Sequence, residues 1–162
     1  MPSIICKGAF LFASLFFSLS SIAQTLTYGA PITLDSAKKI AAVAEAEAKK
    51  NNFPMAIAIV DSSGTLTYFT KLDGTQLASV DIAIGKARTA NNFKRPTKVF
   101  DDGVAGGRNV LLSLPEALLI EGGVPLVVDG KIIGAIGVSG GSSVQDGQVA
   151  AVAVATLTPA PK

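Results

Sequence analysis

Histidine is absent from all 162 residues, and tryptophan is absent as well. Without an imidazole, the chain has no Ser-His-Asp or Cys-His catalytic group and no histidine-based zinc site. The one cysteine, Cys6, precedes the N-terminal apolar stretch and lies in the segment that we predict to be removed, so the mature chain would contain no disulfide. Charged residues are 16% of the sequence and the net charge is only +2, which argues against a nucleic-acid-binding surface.

The N-terminal segment has the pattern of a secretory signal peptide. Lys7 precedes an apolar stretch over 8–19, and Ser21-Ile22-Ala23 is a small-x-small cleavage sequence. We predict that residues 1–23 are removed and that 24–162 form one periplasmic or secreted domain without membrane contact. The alternative is an uncleaved membrane anchor, but the apolar stretch is short for a spanning helix.

The periodicity of apolar residues predicts an α+β domain. Helices are predicted over 34–51, 76–92 and 145–157, and strands over 55–60, 65–72, 126–128 and 131–139. Between them, Thr97 is expected to cap a short turn through Phe100, 101–109 to be a loop, and 110–120 to end in a short strand. Hairpins separated from helices in this way indicate an antiparallel sheet.

The glycine-rich stretch 121–147 is the most informative part of the chain. Asp129-Gly130 between apolar runs predicts a type I′ hairpin turn. Gly134 and Gly137 interrupt the following strand, and Gly140-Gly141 leads into the last helix. These glycines have two compatible interpretations: tight turns with close helix–sheet packing, or a pocket in which free backbone N–H groups near Gly140 face an anion.

Two segments, LASVDIAIGKARTANNFKRPT (77–97) and GGVPLVVDGKIIGAIGVSGGSSVQD (122–146), resemble the GlcG/HbpS family, also described as heme-degrading or DUF336 domains. The resemblance extends over 34–156. It implies a profilin-like domain with a five-stranded antiparallel sheet between helices, and homo-oligomers often built from dimers. Some family members are secreted heme-binding proteins, whereas others occur in cobalamin-handling proteins or glycolate-utilisation operons, so the family indicates fold better than function.

The resemblance also implies a set of ligand-binding positions, of which several have an alternative structural explanation. Glycines form turns, Asp146 near a helix start complements the helix dipole, and Lys86 fits a solvated helix face. The predicted cofactor-binding residues are Lys86, Thr89, Arg95, Thr97, Gly122, Gly123, Gly140, Gly141, Gln145 and Asp146.

Heme is the cofactor that the resemblance implies, and the missing histidine restricts how it could be bound. Corrinoid binding is disfavoured, because a cobalamin-binding relative is expected to ligate cobalt through histidine. A porphyrin could lie in an apolar slot, with Lys86, Arg88 or Arg95 facing its propionates. The candidate iron ligands are Tyr28, Tyr68, Met55 or a threonine oxygen. No metal site is predicted, because no second carboxylate joins Asp81 on its helix face.

Three functions are compatible with these observations, and binding ranks above catalysis because no catalytic constellation is present. The first is a heme-binding protein that contributes to heme or iron turnover, by heme degradation if it is an enzyme. The second is a non-enzymatic organic-acid-binding module, or an accessory subunit that binds a sensor protein. The third is a small enzyme acting on a 2-hydroxy or 2-oxo acid, with Lys86 as acid–base group or cation.

Overall fold

The structure, a computed structural model, describes residues 26–157. Its elements in chain order are β1 (Thr27–Tyr28), α1 (Leu34–Lys50), β2 (Ala56–Asp61), β3 (Leu66–Lys71), α2 (Ser79–Asn92), α3 (Lys98–Ala105), a 3-10 turn (Asn109–Ser113), β4 (Gly123–Val128), β5 (Lys131–Ser139) and α4 (Ser143–Ala155). The predicted signal peptide and its cleavage site lie outside the described residues. Among the described helices, none combines the length and the apolar character needed to cross a bilayer.

Strand β5 is the centre of a five-stranded sheet. β2 and β4 both pair antiparallel with residues 134–137 of β5, so they lie on opposite sides of β5. β3 pairs antiparallel with β2. β1 pairs parallel with Lys131 and Ile132 at the start of β5, beyond the end of β2. The predicted five-stranded sheet flanked by helices is confirmed, but a purely antiparallel sheet was wrong. The sheet is mixed, because β1 takes the backbone groups of β5 that β2 leaves unpaired.

The two faces of the sheet carry different cores, and the alternation of side chains along β2 shows why. Ile57 and Ile59 point to one face, where α1 and α4 supply most of the other apolar side chains. Ala56, Ala58 and Val60 point to the other face, against α2. The larger side chains therefore fill the α1/α4 side, whereas α2 approaches the sheet closely over small residues.

Gly137 in β5 makes that close approach feasible. A Cβ atom there would overlap the carbonyl oxygen of Ala83 and lie 2.5 Å from the backbone nitrogen of Ala87, both in α2. Gly85, also in α2, faces only the side chain of Leu118. The packing interpretation therefore accounts for Gly137, where the neighbouring atoms belong to the backbone.

The hairpin between β4 and β5 has the predicted turn. Asp129 and Gly130 have φ of 49° and 72°, as a type I′ turn requires. Strand β4 begins at Gly123, three residues before the predicted start at 126, and Pro125 lies within it, opposite Ala135 of β5.

The segment between α2 and β4 differs most from the sequence prediction. Residues 98–105 form α3, where a short turn and a loop were predicted, because Phe100 is buried and anchors the helix. Thr97 precedes α3 without a side-chain capping bond. The strand predicted at the end of 110–120 is absent from that described segment. A 3-10 turn and coil replace it, and Val110, Leu112 and Ile120 are exposed.

Candidate functional site

The most unusual feature of the predicted site is a buried ion pair between α2 and α4. The Lys86 ammonium nitrogen lies 2.7 Å from Oδ2 of Asp146, and the two side chains are 1% and 4% exposed. Lys86 also donates to the carbonyl oxygen of Val138, at 3.2 Å. Burial raises the pKa of Asp146, against the opposing effect of the hydrogen bond and charge of Lys86. Lys86 therefore holds α2, β5 and α4 together inside the fold, and its ammonium group does not face solvent.

Gly122 and Gly123 pack directly against Lys86. A Cβ on Gly122 would lie 2.9 Å from the Lys86 ammonium nitrogen and 2.6 Å from the Val138 carbonyl oxygen. The Gly123 N–H donates to the buried Thr97 hydroxyl at 2.9 Å, and the Thr97 N–H donates to the Gly123 carbonyl at 2.9 Å. These predicted residues are brought together, but their polar groups bind one another.

The Gly140-Gly141 turn and the start of α4 also use their backbone donors internally. The Gly141 N–H donates to Oδ1 of Asp146 at 3.0 Å. Ser142 and Gln145 form a reciprocal capping box, in which each side-chain oxygen accepts the other residue's backbone N–H. The anion pocket that we predicted here relied on free N–H groups. In this structure, side chains of the same turn occupy these three donors.

The other two predicted residues lie apart from the ion pair. The Thr89 hydroxyl is buried, accepts the Leu118 N–H at 2.9 Å and donates to the Gly85 carbonyl at 2.8 Å. This bond holds the chain around Leu118 against α2. Arg95 is exposed, and its guanidinium carbon lies 5.7 Å from the centre of the Phe100 ring. Whether any of the ten positions contacts a ligand remains a prediction.

A surface groove lies on the α1 side of the molecule, where the C-terminal part of α1 passes the end of β3. Its volume is about 590 Å³, within the range typical of small-molecule sites. Apolar side chains of Phe53, Pro54 and Leu72 line it, and Phe53 and Leu72 also pack against the core below. Its polar lining residues are Glu45, Lys49, Asn52, Thr70, Lys71 and Asp73.

Of the two lysines at the groove, only Lys49 forms an ion pair within the described residues. The Lys49 ammonium lies 2.6 Å from a carboxylate oxygen of Glu45, and the Lys49 side chain is 64% exposed. Lys71 is exposed and has no ion-pair partner within residues 26–157. Lys71 pairs with Ala56, whose side chain faces α2, so the Lys71 side chain leaves β3 on the face opposite the groove. The lysine that an anionic ligand in the groove would meet is Lys49, which must first leave Glu45.

The groove adjoins the glycine turn that the sequence singled out. A Cβ on Gly140 would overlap the carbonyl oxygen of Pro54, and Gly140 has φ of 150°, so the two backbones are in direct contact. Asp146, in turn, accepts from the neighbouring Gly141. The buried ion pair thus supports the turn on which one wall of the groove rests.

None of the predicted iron ligands other than a threonine lines this groove. Met55 is completely buried in the core. The Tyr28 hydroxyl donates to the Asn91 carbonyl at 3.0 Å, and the Lys94 ammonium lies 4.5 Å from its ring centre. Tyr68 is half-buried against the α1/α4 core. Across residues 26–157, no three acidic or cysteine side chains gather in a group that could hold a metal ion.

Comparison with known proteins decides the family. The family model described as "Haem degrading protein HbpS-like" matches residues 32–155. The chain belongs to the HbpS-like family. Among its HbpS-like relatives, Protein GlcG of Escherichia coli strain K12 is 43% identical over 103 residues, which are 64% of this chain and 77% of that protein. The resemblance inferred from the two sequence segments is therefore confirmed.

Solved structures of HbpS-like proteins share the fold. A double mutant of Streptomyces reticuli HbpS superposes with a TM-score of 0.74 and 28% identity, over 94% of this chain and all of that one. A PduOC:heme complex superposes with a TM-score of 0.69 and 30% identity, over 77% of this chain and 94% of that one. One structural relative of this HbpS-like chain is therefore a heme complex.

Sequence reasoning did not single out the groove. Its lining comes from three separate places: the polar face of α1, the connection to β2 and the end of β3. The available signals were Phe53-Pro54 after the end of α1 and the lysines Lys49 and Lys71. Each of these is ordinary by itself, and only the pairing of β2 with β3 brings them together.

Proposed function

We propose that this HbpS-like protein binds heme, and that the groove between α1 and β3 receives it. The observation that carries the proposal is a groove of about 590 Å³ in which Phe53, Pro54 and Leu72 lie among polar residues, in a chain whose structural relatives include a heme complex. Phe53, Pro54 and Leu72 offer an apolar surface to the porphyrin ring. Lys49 offers a cation to a propionate.

The groove has room for part of a porphyrin, and its three apolar residues, Phe53, Pro54 and Leu72, are the ones that could contact the ring. The half-buried Phe53 and Leu72 are held by the core, so the ring would meet a surface that is already in place. Bound heme supplies iron chemistry, and the groove residues orient the ring and shield one face from water. The finer role that we propose is a contribution to heme or iron turnover.

Three further expectations belong to the same proposal. The signal-peptide pattern of residues 1–23 supports secretion or export to the periplasm. Membership of the HbpS-like family supports a homo-oligomer, and a sensor protein as partner remains part of the proposal. A gel-filtration measurement of the exported chain, with its N-terminus sequenced, tests the first two.

Charge variants in the groove test where heme binds. We expect Lys49→Glu to weaken hemin binding about tenfold, because it replaces the cation of the groove by an anion. Glu45→Gln should strengthen binding about two- to threefold, because it releases Lys49 toward a propionate. The measurement is an absorption titration that follows the Soret band of hemin.

Lys38→Glu is the matched control, since Lys38 is exposed on α1 about three turns before Lys49 and makes the same charge change outside the groove. Its hemin affinity should stay within about twofold of the wild type. Equal losses of hemin affinity in Lys38→Glu and Lys49→Glu would show that only the net charge of the protein matters, and would contradict binding in the groove. An absence of any Soret shift in the wild type would remove heme binding altogether.

A further inference from the structure

A second feature, separate from the groove, is an apolar surface on α3 and on the chain that connects α3 to β4. It consists of Val99, Val110, Leu112 and Ile120, whose exposed fractions lie between 46% and 67%. We call these four side chains the α3 surface. Neither of the two apolar core clusters includes a side chain from 98–121. Exposed apolar side chains that lie together mark sites of interaction, because a single chain gains nothing from keeping them in water.

Internal contacts hold this segment in place, so the α3 surface has a defined shape. The Leu111 side chain lies against Gly103 of α3, where an added Cβ would come within 2.7 Å of it. The Glu121 N–H donates to the carboxylate of Asp101, also in α3, at 2.9 Å. The 3-10 turn and the end of the segment are therefore both held beside α3. The four exposed side chains share one region of the molecule, and a partner would meet them already ordered.

Two opposite charges flank this apolar surface along the chain. Arg108 directly precedes the 3-10 turn, and Glu116 follows it three residues after its end. Both side chains are exposed, and neither forms an ion pair in the part of the chain that the structure describes. The surface thus combines apolar side chains with one uncompensated charge of each sign.

This charge pattern indicates which kind of partner the surface fits. A site for nucleic acid or for an anionic lipid surface carries an excess of positive charge, whereas Arg108 and Glu116 balance each other. A two-fold interface between identical chains must be complementary to itself, because each contact of residue i with residue j is repeated as j with i. An apolar centre flanked by one cation and one anion satisfies that requirement.

We propose that the α3 surface binds the same surface of a second copy of this chain across a two-fold axis. Val110 and Leu112 pack at the centre of the interface, and Arg108 of each copy pairs with the partner's Glu116. The inference rests on the homo-oligomer of the proposed function and gives it a location. It is independent of heme binding, because the groove lies on the α1 side of the sheet.

Sedimentation equilibrium of the purified protein tests the apolar part of the interface. We expect a dimer whose dissociation constant rises at least about a hundredfold in Leu112→Asp, because a carboxylate would be buried at the centre of the interface. Leu77→Asp is the matched control. Leu77 is 86% exposed and lies before α2, outside the α3 surface, so its dimer should stay within about twofold of the wild type. Urea unfolding shows whether both variants remain folded.

A charge exchange tests the pairing of Arg108 with Glu116. Arg108→Glu and Glu116→Arg should each weaken the dimer about tenfold, because each brings like charges together across the axis. The double variant should return to within about threefold of the wild type, since the opposite charges face each other again. Losses that add in the double variant would show that these two residues do not meet and would overturn the proposed pairing.

The remaining outcomes separate this inference from the rest of the proposed function. A wild type that stays monomeric at about 100 μM rejects both the homo-oligomer and the α3 surface, while the hemin titration still decides heme binding. An oligomer that Leu112→Asp leaves intact overturns the α3 surface alone. Wild-type binding to phosphatidylethanolamine–phosphatidylglycerol vesicles, lost in Leu112→Asp without any dimer in solution, would assign the surface to lipid and overturn the inference as well.

Discussion

Lys86→Met and Asp146→Asn are each expected to lower the free energy of unfolding by about 3–5 kcal/mol, because each leaves the other partner as an unpaired buried charge. The double variant should lose less than the sum of the two single losses, by about 2–3 kcal/mol. In the double variant both charges are gone, and the amide oxygen introduced by Asp146→Asn still accepts the Gly141 N–H in place of Oδ1.

Removing both charges is expected to cost less folding free energy than the two single removals together, because no unpaired charge is left buried. Burial raises the pKa of Asp146 even with Lys86 beside it. The desolvation of two buried charges opposes their mutual attraction, so the net contribution of such a pair to stability is small compared with the cost of removing one partner alone. We expect it to fix the positions of α2, α4 and the Gly141 turn more than to add net stability.

Urea unfolding of the wild type, the two single variants and the double variant measures this coupling directly. The exposed pair Lys98–Asp102, 2.7 Å apart with side chains 54% and 63% exposed, supplies the control. Lys98→Met should change the free energy of unfolding by no more than about 1 kcal/mol. Additive losses from Lys86→Met and Asp146→Asn would mean that the two side chains act independently, and the buried pair would not be a coupled unit.

Gly137→Ala is expected to lower the free energy of unfolding by at least about 3 kcal/mol, the upper end for overpacked cores. The added methyl group would meet the backbone of α2 at Ala83 and Ala87, and backbone atoms cannot rotate away as a side chain could. The steric overlap could be removed only if α2 moved away from the sheet. That movement would open the contact between α2 and the alanine-lined face of the sheet.

Thermal and urea unfolding of Gly137→Ala test this packing, with Gly107→Asn as the control. Gly107 lies after α3 with φ of 86°, a Cβ there would meet no atom within 4 Å, and asparagine tolerates such a backbone. The control should stay within about 1 kcal/mol of the wild type. A folded Gly137→Ala protein with wild-type stability would show that α2 packs less closely against β5 than the structure indicates.

Local patterns in the sequence were sufficient for most of the fold. The alanine-rich apolar stripe of α1, the β-branched strand β2 and the Asp129-Gly130 turn each predict their own conformation from neighbouring residues. α3 was missed because Asp101-Asp102-Gly103 has the composition of a turn. The burial of Phe100, which stabilises that helix, depends on contacts outside the helix, including the ring of Phe93.

Long-range partners explain the remaining errors. Parallel pairing of β1 with β5 joins residues more than 100 positions apart, and no local signal specifies it. Lys86 fitted a solvated helix face until its partner Asp146, 60 positions away, placed it inside the fold. The predicted site residues around Gly122 and Gly141 do come together, but they do so around an internal ion pair. The groove was not predicted, because three separated segments build it.

Amide chemical-shift mapping by NMR with gallium protoporphyrin IX, a diamagnetic stand-in for hemin, tests most directly whether the groove is the porphyrin site. We predict that the largest shifts fall on Glu45, Lys49, Asn52, Phe53 and 70–73, which line the groove, and that the amides of Gly122 and Gly123 change little. Shifts concentrated on Gly122, Gly123 and the residues around Lys86, with none in the groove, would contradict the proposed heme site and restore the site predicted from sequence.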